Sequence, residues 1–205
     1  MNLLKLSYSI LFTLLLAIRL FGDSPVDRSV SLALVSDDFG LADGPSWQGW
    51  YLTVPDPKAQ VVKRFITKQN KWNVLAQEKR FSASFFNHGK SYFADHGEGA
   101  IRCLDQNNKW SLVYQEDLTK DKGRRPNDLV VDRNGGIFYT LTRPGEVVYL
   151  SSNGKAKTIA SDVETPNGLI LSPDEKTLYV SEYVPKNIIS FQLGNEGALT
   201  NRKLF

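Results

Sequence analysis

Three short segments of this 205-residue chain place oxygen-bearing side chains at matching positions: Asp43-Gly44-Pro45, Arg125-Pro126-Asn127-Asp128 and Pro166-Asn167-Gly168. Each precedes a run of apolar residues that reads as a strand. Brought together, the carboxylate of Asp43 and the amide oxygens of Asn127 and Asn167 form an all-oxygen set, the kind that suits a hard cation such as Ca²⁺ or Mg²⁺. The same residues are also ordinary turn formers, and Asn-Gly or Asn-Asp ahead of a strand needs no metal to account for it. From spacing alone both readings stand.

Other reactive side chains offer less. Cys103 is the only cysteine, so the chain can form no internal disulfide and no cysteine-based metal cluster. Its flanks, Ile101-Arg102-Cys103-Leu104, nearly alternate, which predicts a buried thiol in a strand rather than a nucleophile. His88 and His96 fall in glycine-marked turns with no familiar metal spacing, and neither is expected to act. Ser172 to Asp174 and Asp132 to Gly136 read as turns joining two strands, at the end opposite the Asn motifs.

The elements that position the Asn motifs follow from a repeat. Pro-Asn-(Asp/Gly)-Leu, an apolar strand, a polar turn and a second strand with an aromatic occur at Pro126 and again at Pro166, so Asn127 and Asn167 are 40 residues apart. Asn87 to Ala94 matches the turn and second strand at Asn134 to Thr140, and Trp50 to Thr53 matches that strand more weakly. Short apolar and aromatic runs divided by Gly, Asn, Asp and Pro at this period predict an all-β fold, a β-propeller whose blades cover one another's apolar faces. About four copies are present.

At the N-terminus, Lys5, the apolar run Ile10 to Ile18 and Gly22 before Asp23-Ser24-Pro25 read as a signal peptide over residues 1–22, with the domain at 23–205. The run is short for a membrane span and Arg19 interrupts it, so no stable membrane insertion is expected and the protein is placed as exported, periplasmic or secreted. An uncleaved N-terminal anchor is the alternative. The net charge of +3 is small and scattered, which argues against nucleic acid. The densest basic cluster, Lys122 to Arg125, reads mainly as solvated surface.

The Gly-Pro-Ser-Trp after Asp43, the Arg-Pro-Asn-Asp-Leu-Val-Val-Asp from Arg125 and the Pro-Asn-Gly-Leu-Ile-Leu-Ser-Pro-Asp-Glu-Lys-Thr-Leu-Tyr-Val from Pro166 together resemble the senescence marker protein, gluconolactonase and luciferin-regenerating enzyme family. The resemblance covers nearly all of the chain after the leader. It implies a six-bladed propeller with a divalent cation at the channel mouth, held by an acidic residue before Gly-Pro, one or two asparagines and an aspartate. Asp43 stands where the family usually has glutamate, one methylene longer, while Asn127 and Asn167 match directly. Arg125 matches a position that contacts substrate in some members.

The implied activity is hydrolysis of lactones, small sugar lactones first, with Ca²⁺ as the leading cofactor and Zn²⁺ or Mg²⁺ as alternatives. The similar diisopropyl fluorophosphatase propellers suggest phosphoester hydrolysis as one alternative. An exported propeller that only binds a ligand or partner is another. One further 40-residue step from Asn167 falls at about 207, past Phe205. The family's aspartate, both ligand and general base, belongs to that later part. The expectation is therefore four blades of six, impaired as an enzyme, with no catalytic base assigned.

Overall fold

The computed structural model describes Ser29, Ser31 and residues 33–205. The predicted leader, 1–22, lies outside the described residues. The chain divides into two compact units, Met1–Asp37 and Asp38–Phe205, and every described strand belongs to the second.

Sixteen strands form four antiparallel four-stranded sheets, each a simple meander. Blade 1 comprises β1 (Ser46–Trp47), β2 (Tyr51–Asp56), β3 (Val61–Ile66) and β4 (Lys71–Gln77). Blade 2 comprises β5 (Phe81–Asn87), β6 (Lys90–Asp95), β7 (Ala100–Leu104) and β8 (Trp110–Gln115). Blade 3 comprises β9 (Pro126–Val131), β10 (Ile137–Leu141), β11 (Glu146–Leu150) and β12 (Ala156–Ala160). Blade 4 comprises β13 (Pro166–Leu171), β14 (Thr177–Glu182), β15 (Asn187–Leu193) and β16 (Leu199–Leu204). The repeat seen in the sequence is thus one blade, and the upstream matches at Tyr51 and Lys90 are second strands, as expected.

Side chains alternate across a strand, and in the middle blades both faces are covered. Leu129, Val131, Ile137, Tyr139 and Leu141 pack with Ala83, Ala94 and Ile101 between blades 2 and 3. Val130, Phe138 and Val147 point the other way, onto Leu169, Leu178, Val180 and Ile189 of blade 4. Two covered faces explain why β10 is apolar or aromatic at four of its five positions and buried throughout. Val62, Phe81, Phe93 and Leu104 form a smaller core cluster in blades 1 and 2. Cys103 is buried in β7, as its alternation predicts.

Neighbouring blades are joined mainly through their first strands. Ser46 Oγ and Ser84 Oγ lie 2.8 Å apart, linking blades 1 and 2. Ser82 Oγ of blade 2 donates to Asn127 O at 2.5 Å, and Thr140 Oγ1 of blade 3 donates to Asn167 O at 2.7 Å. Three buried acids are paired with arginines: Asp95 with Arg102 at 2.6 Å, Glu182 with Arg202 at 2.9 Å, and Glu116 with Arg124 at 2.7 Å. Arg124 also reaches Glu146 at 2.7 Å, and Tyr139 donates its hydroxyl to Glu116 at 2.5 Å. The basic cluster at Lys122 to Arg125 is therefore not mainly solvated surface: Arg124 sits inside an ion network that ties blade 2 to blade 3. No helix among the described residues is long and apolar enough to cross a membrane.

Candidate functional site

In an antiparallel meander the start of the first strand and the connection between the second and third lie at the same end. Asp43, Asn127, Asn167 and the loop carrying His96 share that end, while the turns at Asp132 to Gly136 and Ser172 to Lys176 lie at the other, as expected. The sequence places all three donors in loops ahead of a strand. The structure instead makes Asn127 and Asn167 the second residues of β9 and β13, already paired into the sheet. Only Asp43 precedes its strand, and its N–H donates to Pro55 O at 3.0 Å, so it continues the pairing with β2.

A register shift follows the first residue of the inner strands of blades 2, 3 and 4: between Phe81 and Ala83 opposite β6, around Asn127 and Asp128 opposite β10, and between Pro166 and Leu169 opposite β14. Such bulges turn side chains out of the regular alternation and recur beside functional sites. Ser82 holds the equivalent place in blade 2, where its hydroxyl serves Asn127 O.

Gly44 sets the approach of Asp43 to blade 2. Its φ is +42°, and a Cβ there would fall 2.3 Å from Ala83 Cα, which backbone cannot accommodate. Gly44 O accepts from Ser84 N at 2.8 Å and Ser84 Oγ at 3.0 Å, pinning the segment.

Two residues that the sequence left without a role join the site. Asp128 accepts Leu129 N–H at 2.7 Å, and its carboxylate lies over Gly168, where a Cβ would be 3.5 Å from Oδ2. Burial pushes its pKa up to about 7 against the N–H groups of Leu129 and Leu169, and the Asp43 carboxylate pushes the same way. Asp43 is itself raised by burial, opposed by Gly44 N–H and by His96. His96 Nδ1 donates to Pro126 O at 3.3 Å, and burial, with Arg80 and Arg125, lowers its pKa against that bond and Asp43. The only advance signal for Asp128 was its place beside Asn127. Nothing local marked His96, because β6 and β7 alone bring its loop to the site.

Arg125, expected at the substrate, is bound largely within the protein. Its Nε donates to Lys122 O at 3.1 Å and its Nη1 to His96 O at 2.9 Å and to Gly97 O.

The donor set fits a hard divalent cation. Asp43 is close enough to Asp128 for its charge to help raise the Asp128 pKa, and among the described residues neither forms an ion pair. The hydrogen bonds of Asn127 and Asn167 use their backbone carbonyls, so among the described residues their amide oxygens are not committed. Two half-buried carboxylates and two amide oxygens are what a bound cation would neutralise. Counting only carboxylates, imidazoles and thiols, no group of three assembles among the described residues, so the amides are essential to this set.

Four four-stranded blades, three of them with oxygen-bearing side chains at the starts of their inner strands, define a β-propeller protein with a candidate site at one end of the blades. Residues 41–205 match the SMP-30/Gluconolactonase/LRE-like region, and the chain belongs to that family. It is 27% identical over 215 residues to the gluconolactonase of Zymomonas mobilis, an alignment covering 89% of this chain and 60% of that protein. Among solved structures it resembles the gluconolactonase XC5397 of Xanthomonas campestris, with TM-score 0.72 and 26% identity over 83% of this chain and 64% of that one. The Agrobacterium tumefaciens regucalcin shares the fold, with TM-score 0.66 at 17% identity, over 82% of this chain and 59% of that one. The chain thus spans about 60% of the length of the relatives it matches.

Proposed function

We propose that this protein is a lactone hydrolase of the gluconolactonase type that uses a divalent cation. One observation carries the reading: Asp43, Asn127, Asp128 and Asn167, from three different blades, share one end of the inner strands in a chain whose family includes a gluconolactonase. Asp43, Asn127 and Asn167 would hold the ion, with Asp128 beside them, and Ca²⁺ suits four oxygens better than Zn²⁺, which favours nitrogen and sulfur. A bound cation supplies Lewis acidity toward a lactone carbonyl and a more acidic bound water.

The protein's own groups orient the site. Ser82 and Thr140 hold the backbones of Asn127 and Asn167, and Thr140 Oγ1 also accepts Asp128 N–H at 3.2 Å. His96, kept neutral and donating from Nδ1, leaves Nε2 as an acceptor. Export behind a leader at residues 1–22, with a mature N-terminus near Asp23, belongs to the same proposal, and N-terminal sequencing of exported protein checks it.

The deciding experiment is hydrolysis of gluconolactone by the full chain, with chelator and with added Ca²⁺. Weak activity that is lost on chelation, restored by Ca²⁺ and absent in Asp43→Ala is expected. Hydrolysis indifferent to chelation, or none with Ca²⁺ bound, overturns the reading.

A further inference from the structure

Beside the carboxylates, at the same end of the blades, lies an open cavity of about 310 Å³ lined by His96, Lys122, Gly123, Arg125, Thr142 and Arg143. That volume suits a small-molecule site. Its walls come from three connections: β6 to β7, β8 to β9, and β10 to β11. Outside the cavity, among the described residues, Arg102, Arg124, Arg133 and Arg202 are matched with acids, while Arg64 and Arg80 are not. Among the described residues, Lys122, Arg125 and Arg143 form no carboxylate pair. Arg125 spends Nε and Nη1 on neutral carbonyls, so its charge is held in place but not cancelled. The nearest acid on the loop, Asp121, accepts Gly123 N–H at 2.7 Å and is exposed.

Three cations without an ion-pair partner among the described residues, against the one carboxylate of Asp121 at Gly123, concentrate a positive field in this concavity. His96 connects this cavity to the proposed catalytic site, since it lines the cavity and interacts electrostatically with Asp43. A ligand whose carbonyl reaches the carboxylate and amide cluster can therefore extend a second group past His96 into the basic cavity. A neutral sugar hydroxyl gains little from three cations. A carboxylate or phosphate gains charge-assisted hydrogen bonds, and arginine presents planar paired donors for either.

We propose that the cavity recognises an anionic substituent of the substrate, so that the preferred lactones carry a carboxylate or a phosphate away from the ring carbonyl. The identity of the ligand rests on the lactone-hydrolase reading; the existence of an anion site does not.

The test compares kcat/KM of the full chain for neutral gluconolactone, its phosphate ester and a sugar lactone with a free carboxylate. In the Lys122→Ala/Arg143→Ala double variant, the ratio of anionic to neutral kcat/KM should fall by about tenfold or more. Arg143→Lys, which keeps the charge, should retain most of the preference. Whichever anionic lactone has the higher ratio in the unmodified chain identifies the source of the charge. An unchanged ratio in the double variant, or no anionic preference in the unmodified chain, overturns the proposal. Calorimetric titration with phosphogluconate separates the two readings. Binding that weakens about tenfold in the double variant, with no lactone hydrolysed, refutes the hydrolase and sustains the anion site. No binding overturns the site as well.

Discussion

Asn127 and Asn167 stand at the same level of their blades, each second in an inner strand and each beside a bulge, but the residues that follow them differ. In blade 3 the next residue is Asp128, whose carboxylate is crowded by protein and by Asp43. In blade 4 it is Gly168, over which that carboxylate lies. A second aspartate at 168 would face the first. Two positions further on, Val130 is 1% exposed while Ile170 is 51% exposed. Blade 3 has a described blade against each face, and blade 4 has one. The same motif therefore acquires different chemistry from what packs against it.

The largest effect that can break this comparison is in the core. Val130→Ala should lower stability by about 2–3 kcal/mol, from lost burial and the cavity left behind. Ile170→Ala should change it by no more than about 0.5 kcal/mol. Urea unfolding measures both, and equal losses would mean that the two blades are equally enclosed.

Next is the pH dependence of Asp128. Its folded pKa of about 7 lies above the ordinary 3.8, so folding favours the neutral acid. The stability this gives is fully present below pH 3.8 and is lost as pH rises through about 7. With chelator present, Asp128→Asn should therefore be more stable than the unmodified chain at alkaline pH, by about 2 kcal/mol after discounting for partial exposure. The advantage should vanish at low pH. A stability difference that does not vary with pH would place the Asp128 carboxyl in water.

A smaller effect concerns the amides themselves. Asn127→Ala and Asn167→Ala should each weaken Ca²⁺ binding by about tenfold in calorimetric titration. If only one does so, the two motifs are not equivalent ligands; if neither does, both asparagines are turn formers. Smallest is Ser82→Ala, which removes the hydroxyl under Asn127 O and should cost about 1 kcal/mol in thermal or urea unfolding. No loss would show that the blade 2 to blade 3 link is carried elsewhere.

Much of this arrangement was legible beforehand, for a physical reason. Strands covered on both faces must be apolar and short, and turns at their ends need Asn, Gly or Asp, so a repeated blade prints a 40-residue pattern that exposes Asn127 and Asn167. Asp43 was found through Gly-Pro, and Gly44 proves to be dictated by the close approach to Ala83. Blade 2 broke the pattern because its equivalent residue, Ser82, supports a neighbour's backbone instead of offering a side-chain donor of its own.

Local residue types and their periodicity, then, determined the all-β class, the blade unit and the buried Cys103, and singled out the candidate oxygen donors, because each depends on a residue and its near neighbours. Tertiary packing decided what those residues do. Burial and the Asp43 charge raise Asp128, a loop from blade 2 brings His96 to Pro126, and Glu116 with Glu146 turns Arg124 from surface into structure. These effects act between residues from about 8 to 85 positions apart in the chain, and electrostatics and desolvation depend on separation in space.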